Sequence, residues 1–217
     1  MGDYKDDGYA AEVEQLSQQV TELGVLAMET FKCAAAALFG PEPEAAHSAI
    51  AAAAANASVA TDIHQKAVTL LARWTPTGPA LQAIVNLQRT ASECARMADH
   101  ARRIAQAALP LSGNAEQELK RLAPDGPHLL AGLVRQGYII LRGCLILLAK
   151  QDRALARRVL AEDAELDRHY RVLASLLERA IASQPQRATP LHHLAFAAAE
   201  MRKIGTCVVA ICDDRLA

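Results

Sequence analysis

Residues 81–105, LQAIVNLQRTASECARMADHARRIA, and residues 191–212, LHHLAFAAAEMRKIGTCVVAIC, decide the fold. In each, apolar side chains return every three or four positions, the period of one helix face. Leu81, Ile84, Leu87, Ala91, Ala98 and Ala105 form the first stripe; Leu194, Ala198, Met201, Gly205, Val208 and Cys212 form the second. A shift of 107 positions lays Leu87 on Leu194, Ala91 on Ala198, Glu93 on Glu200 and Ile104 on Ile211. A repeat of about a hundred residues is far longer than a solenoid unit, so it points to a duplicated helical module.

The flanking segments carry the same period. Val13, Leu16, Val20, Leu23, Ala27, Phe31, Ala34 and Leu38 make one long stripe. Pro43 and Glu44 open a second helix, as proline in a first turn does. Its inward positions are read as Ile50, Ala53, Ala57 and Ala60, then Val68, Leu71 and Trp74. Such small side chains favour close helix approach. After an interrupted segment at 116–122, helices are expected over 129–150, 153–182 and 191–213. The helix over 153–182 turns Val159, Leu166, Tyr170, Leu173, Leu177 and Ile181 inward. Breakers at 40–43, 75–79, 110–114, 124–127 and 183–190 leave only short turns, which make neighbours antiparallel. The predicted class is all-α: two tandem, pseudo-symmetric three-helix bundles of six long helices, over 11–110 and 115–217. Residues 1–10 begin with Asp3-Tyr4-Lys5-Asp6-Asp7, which looks like an acidic epitope tag, and are expected to be loose.

With 52% apolar residues the 217-residue chain can bury a core. Its 23 Lys and Arg against 24 Asp and Glu argue against a nucleic-acid partner, which needs a basic surface. Five cysteines, Cys33, Cys94, Cys144, Cys207 and Cys212, form no C-x-x-C pair and read as small buried thiols of a reduced cytosol. No signal peptide is read at the start. The apolar run 138–149 is about half a bilayer span and holds Arg142, so it reads as a core helix without a membrane span.

Chemistry-bearing motifs are few. G-x-S-x-G, a glycine-rich phosphate loop and H-E-x-x-H are all missing from the sequence, and no catalytic residue is assigned. Adjacent His192 and His193 point about 100° apart on a helix and cannot serve one site; a cap or surface role is favoured. His169 reads as a flank residue, and Arg102-Arg103 and Arg157-Arg158 as solvated faces unless a partner uses them. Glu162, Asp163, Glu165 and Asp167 cluster, with Asp163 and Asp167 one turn apart on one face. Two such carboxylates repel unless a cation lies between them. A hard metal fits, and so do the arginines Arg158, Arg168 and Arg171.

These pieces, in order, resemble the PhoU family of bacterial phosphate-signalling regulators. Asp163-Ala164-Glu165-Leu166-Asp167-Arg168-His169-Tyr170 is similar to that family's D-x-x-V-D-x-x-Y, followed by Pro185, Phe196 and Arg202-Lys203-Ile204-Gly205-Thr206 where the family has E-R-I-G-D. Residues 75–82, TPTGPALQ, resemble its Q-P-x-x-x-D-L-R turn, and Arg96-Met97-Ala98-Asp99-His100-Ala101 matches R-I-G-D-H-A. The resemblance spans 11–213. It implies a non-enzymatic cytoplasmic regulator, peripheral to the inner face of the membrane. Its implied partners are a phosphate ABC transporter ATPase and a sensor histidine kinase, and a homodimer is among the implied states.

The resemblance also implies an E-x-x-x-D signature on the third helix of each repeat, holding iron or zinc. Here Ala95, Arg202 and Thr206 replace three of its four acids and Asp99 remains. The second-helix aspartate of repeat one falls near Ala53. Asp99, Asp163 and Asp167 are therefore expected to be remnants, the charge of Asp163 and Asp167 neutralised by Arg202, with no cofactor bound. The rivals are a carboxylate-bundle metalloprotein, which wants Glu-x-x-His motifs this chain lacks, and an accessory regulator of another ion or phosphate permease. From 111 onward there are twelve acidic and fifteen basic residues, and Arg157 and Arg158 are the expected partner-binding pair.

Overall fold

The structure, a computed structural model, describes residues 7–40, 43–150 and 152–216; residues 1–6 of the tag-like opening lie outside it. The described residues form seven α-helices and no strand: α1 (Asp7–Phe39), α2 (Glu44–Trp74), α3 (Pro79–Ala108), α4 (Ala115–Leu122), α5 (Gly126–Lys150), α6 (Arg153–Ser183) and α7 (Ala188–Leu216). Short 3-10 turns at Leu109–Leu111 and Pro185–Arg187 follow α3 and precede α7. Helices α1, α2 and α3 pack on one another, as do α5, α6 and α7. The two bundles join where α3 lies along α7 and α1 touches α5. Ion pairs from His100 to Glu200 and from Arg89 to Asp214 show that α3 and α7 run antiparallel. The seventh helix, α4, is the segment read as interrupted; it buries Ala115 and Leu119 and packs on α5.

Residues 7–10 correct part of the expected loose opening, because α1 begins at Asp7 and not after residue 10; the rest of that expectation falls on residues outside those described. Tyr9 is buried, its hydroxyl donates to the Ala80 carbonyl at 3.1 Å, and its ring meets Trp74 edge-on at 5.9 Å. An apolar slot with a hydrogen-bond partner holds a phenol better than a frayed end would.

The register of α2 also differs. Its buried face is Ala46, Ala49, Ala53, Asn56, Ile63, Ala67 and Leu70, whereas Ala57 and Val68 are exposed. An alanine run carries too little bulk to choose its own inner face, so neighbours choose it. Thr30 on α1 supplies the choice, accepting a hydrogen bond from Asn56 Nδ2 at 3.1 Å. Leu81, in the first turn of α3, is exposed too, and the buried face there starts at Ile84. Ala49→Leu or Ala53→Leu is expected to cost about 1–3 kcal/mol by overpacking. Ala57→Leu should stay within about 0.5 kcal/mol. Urea melts of the three variants separate the two registers: equal midpoints would place the α2 face wrongly.

Helix α5 extends well beyond the apolar run 138–149 and, at 25 residues, is long and apolar enough to cross a membrane by length and composition alone. One face of it is nevertheless buried in the bundle, through Leu130, Leu133, Ile140, Cys144 and Leu147. Its approach to α1 is close because a Cβ on Gly137 would stand 2.8 Å from Phe31 Cζ. All five cysteines are free; Cys33 is half-buried and the other four are buried. Burial pushes the thiols of Cys94, Cys207 and Cys212 up to about 12, so they stay protonated and unreactive.

Candidate functional site

The acidic pair on α6 meets a cation from α7. Arg202 donates from Nη1 and Nη2 to the two oxygens of Asp163 at 3.0 and 3.1 Å, and from Nε to Asp167 Oδ1 at 2.9 Å. Arg171 takes the other Asp167 oxygen at 2.7 Å. The fork of a guanidinium satisfies two carboxylates on one helix face, as a point charge would not. Asp163 is 9% exposed, and desolvation raises its carboxyl despite Arg202, which lowers it. Gly205 makes the contact sterically feasible. A Cβ there would stand 2.4 Å from Asp163 Oδ1 and 2.7 Å from Arg202 Nη1.

The first bundle carries the same burial pattern without the charges. The buried residues of α2, Ala46, Ala49, Ala53, Asn56, Ile63, Ala67 and Leu70, correspond one for one with Ala156, Val159, Asp163, Leu166, Leu173, Leu177 and Ala180 of α6. The counterpart of Asp163 is therefore Ala53, as the resemblance implied. The counterpart of Arg202 on the third helix, at the 107-residue shift, is Ala95. Aspartate occurs with arginine, and alanine with alanine, so each repeat balances its own charge. Asp99 stands apart from the pair: Arg102 holds Oδ1 at 2.6 Å and Arg103 holds Oδ2 at 2.8 Å.

A second polar cluster sits where α3 crosses α7. The fully buried Glu200 meets His100 Nδ1 at 2.7 Å and Lys203 Nζ at 2.6 Å, with Arg103 at 3.9 Å. Burial alone would raise its carboxyl, but the Lys203 and His100 hydrogen bonds outweigh that and hold it below its ordinary value. Its repeat partner Glu93 faces Cys207, whose thiol is raised first by burial and then by that carboxylate. The 107 shift maps His100 onto Cys207 as it maps Glu93 onto Glu200, so one crossing contact occurs twice. Sequence reasoning missed Glu200 and His100 as a pair. A glutamate recurring at equivalent positions of two otherwise apolar stripes was the signal.

The remaining candidates fall on surfaces or flanks. Glu162 accepts from the buried Gln136 at 2.8 Å, and Glu165 pairs with Arg168 at 2.6 Å. His169 lies half-buried over Gly132, and its ring is held below its ordinary pKa by desolvation and then by Arg168. His192 is exposed in the first turn of α7, where Nδ1 donates to the Ala188 carbonyl at 2.6 Å. Arg157 and Arg158 are exposed.

The residues present do not fit the family's iron or zinc group. Both oxygens of Asp163 and both of Asp167 are already taken by guanidinium groups, and Thr206 turns its hydroxyl to the Lys203 carbonyl at 2.6 Å. Among the described residues, no three His, Cys, Asp or Glu side chains gather as a metal-holding group.

Comparison with known proteins agrees with this architecture. The PhoU domain pattern matches residues 5–108 and 138–214, one stretch in each bundle. A phosphate-specific transport system accessory protein PhoU homolog of Aquifex aeolicus is 25% identical over 187 residues, covering 86% of this chain and 81% of its own. A homolog of the same description from Rhizobium meliloti is 24% identical over 194 residues, covering 89% and 79%. The crystal structure of PhoU from Pseudomonas aeruginosa shares the fold at a TM-score of 0.87 and 21% identity, with 96% of this chain and 97% of that one covered. The phosphate transport system regulatory protein PhoU from Streptococcus pneumoniae follows at 0.82 and 21%, covering 96% and 95%. With the PhoU domain pattern matched over most of the chain, one stretch in each half, the chain belongs to the PhoU family.

Proposed function

We propose that this chain is a non-enzymatic, cytoplasmic regulator of phosphate uptake that links a phosphate ABC transporter ATPase to a sensor histidine kinase. The observation that supports it most is the match of both bundles to the PhoU pattern, in relatives described as accessory to phosphate-specific transport. Such a regulator works through long helix faces. Arg157 and Arg158, exposed on α6, offer charge to an acidic partner. Exposed charges steer association and are screened within about 8–10 Å at physiological salt. The Arg157→Glu/Arg158→Glu variant is expected to bind the ATPase or the kinase with a slower on-rate and a weaker salt dependence, at an unchanged melting temperature. Unchanged association kinetics across a salt titration would remove this pair from the interface.

The proposal extends to the metal. Arg202 is a permanent cation between Asp163 and Asp167, so the second bundle regulates without iron or zinc there. Stoichiometric iron or zinc in the purified protein, lost on Asp163→Asn, would overturn this.

A further inference from the structure

Helix α5 carries a stripe that its bundle does not use. Arg135, Ile139, Arg142, Ile146 and Lys150 follow at spacings of four, three, four and four, on one outward face of the helix. All five are exposed, with Ile139 at 41% and Ile146 at 38%. The helix contains no aspartate or glutamate at all. Nor do Arg135, Arg142 and Lys150 take part in any ion pair or hydrogen bond among the described residues. The nearest carboxylates on α6 are engaged: Glu162 accepts from Gln136, and Glu165 pairs with Arg168. On the other flank, Glu29 pairs with Lys32.

We infer that this face is a docking surface for an anionic phospholipid bilayer. Two features select that occupant. The charge is of one sign over roughly 22 Å of helix, which complements an acidic leaflet. The cations alternate with isoleucines along the same ridge, so long arginine stems lie at headgroup depth while the isoleucines reach the acyl boundary. Pairing of two copies through this ridge would set arginine against arginine, which disfavours a dimer here. The inference is independent of the regulatory reading, because lipid binding is measured with neither transporter nor kinase present.

The test is flotation of the purified full chain with vesicles of phosphatidylcholine alone or mixed with phosphatidylglycerol. Binding is expected only to the mixed vesicles and is expected to weaken as salt rises. Each basic residue near an anionic surface contributes about 1 kcal/mol, so Arg135→Gln/Arg142→Gln should lower the partition about 30-fold. Ile139→Ser/Ile146→Ser should also lower it, but leave the salt dependence in place. Circular dichroism should be unchanged in both, and the arginine variant should keep its melting temperature; Ile139 and Ile146 are 41% and 38% exposed, so the isoleucine variant is compared well below its own melt. Failure of the wild-type chain to float with the mixed vesicles would overturn the inference. So would equal binding by the arginine double variant, or binding by this face only to an acidic protein partner.

Discussion

Arg202→Ala is expected to destabilise the protein by about 2–3 kcal/mol at neutral pH. Fully buried ion pairs that lose one partner cost about 3–5 kcal/mol. Asp163 and Arg202 keep some solvent contact, so the lower figure applies. The effect depends on pH with a definite sign. Burial already raises the Asp163 carboxyl and Arg202 opposes that, so deleting Arg202 raises it further. A carboxyl raised in the folded state binds its proton more readily there than in the unfolded chain. The variant's deficit is therefore largest at neutral pH and shrinks as the pH falls through the folded value. Glu200 and Asp99 behave oppositely, since both are held below their ordinary values. The stability they contribute is present above the ordinary carboxylate range and is lost as the pH falls through their folded values. Urea melts at neutral and mildly acidic pH separate these effects, and Asp163→Asn in the Arg202→Ala background should recover most of the loss. A deficit equal at both pH values and not recovered by Asp163→Asn would mean that Arg202 acts by packing alone.

Phe31→Ala should have the largest effect, about 3–5 kcal/mol. Phe31 is fully buried between the bundles, touching Gly137 and meeting the Tyr138 ring at 5.1 Å. Gly137→Ala alone should cost about 1–3 kcal/mol, because its Cβ would collide with a ring that has nowhere to move. Together the two changes should cost less than their sum, since the added methyl enters the space the ring has left. A denaturant series on the four proteins of this cycle measures the coupling. Strict additivity would show that α1 and α5 do not meet at these residues.

Helix type and helix number in each bundle were legible in the sequence, because large apolar side chains at a 3.6 period have only one face to bury. Leu16, Leu23, Phe31, Leu87 and Leu194 are all inside. The duplication was legible for the same reason, since the 107 shift superimposes one buried stripe on another. Where the periodic residues are alanines, as on α2, the pattern lost its power. Alanine contributes too little buried area to choose between neighbouring registers, and Thr30 opposite Asn56 made the choice. Residues 7–10 were misread as loose for a related reason: Tyr9 finds its place only because Ala80 and Trp74, about seventy residues away, stand beside α1.

The candidate site divides along the same line. Asp163 and Asp167 could be paired from sequence because one helical turn separates them, and their need for a cation followed from like-charge repulsion. The cation that answers them, Arg202, was expected only through the resemblance, which set it at a ligand position. Arg158, Arg168 and Arg171 were the local choices, and of these only Arg171 reaches the pair, through Asp167. Arg202 comes from another helix, more than thirty residues on, and holds both carboxylates. Glu200 with His100 is a contact a hundred residues apart, visible beforehand only as a glutamate oddly placed on an apolar stripe. By itself the sequence determined the helices, their duplication and the local charge pairs, since those depend on spacing along one chain. Only the tertiary structure decided which alanine face turns inward, how one guanidinium spans both aspartates and which faces of α5 and α6 remain open, because those depend on what stands opposite.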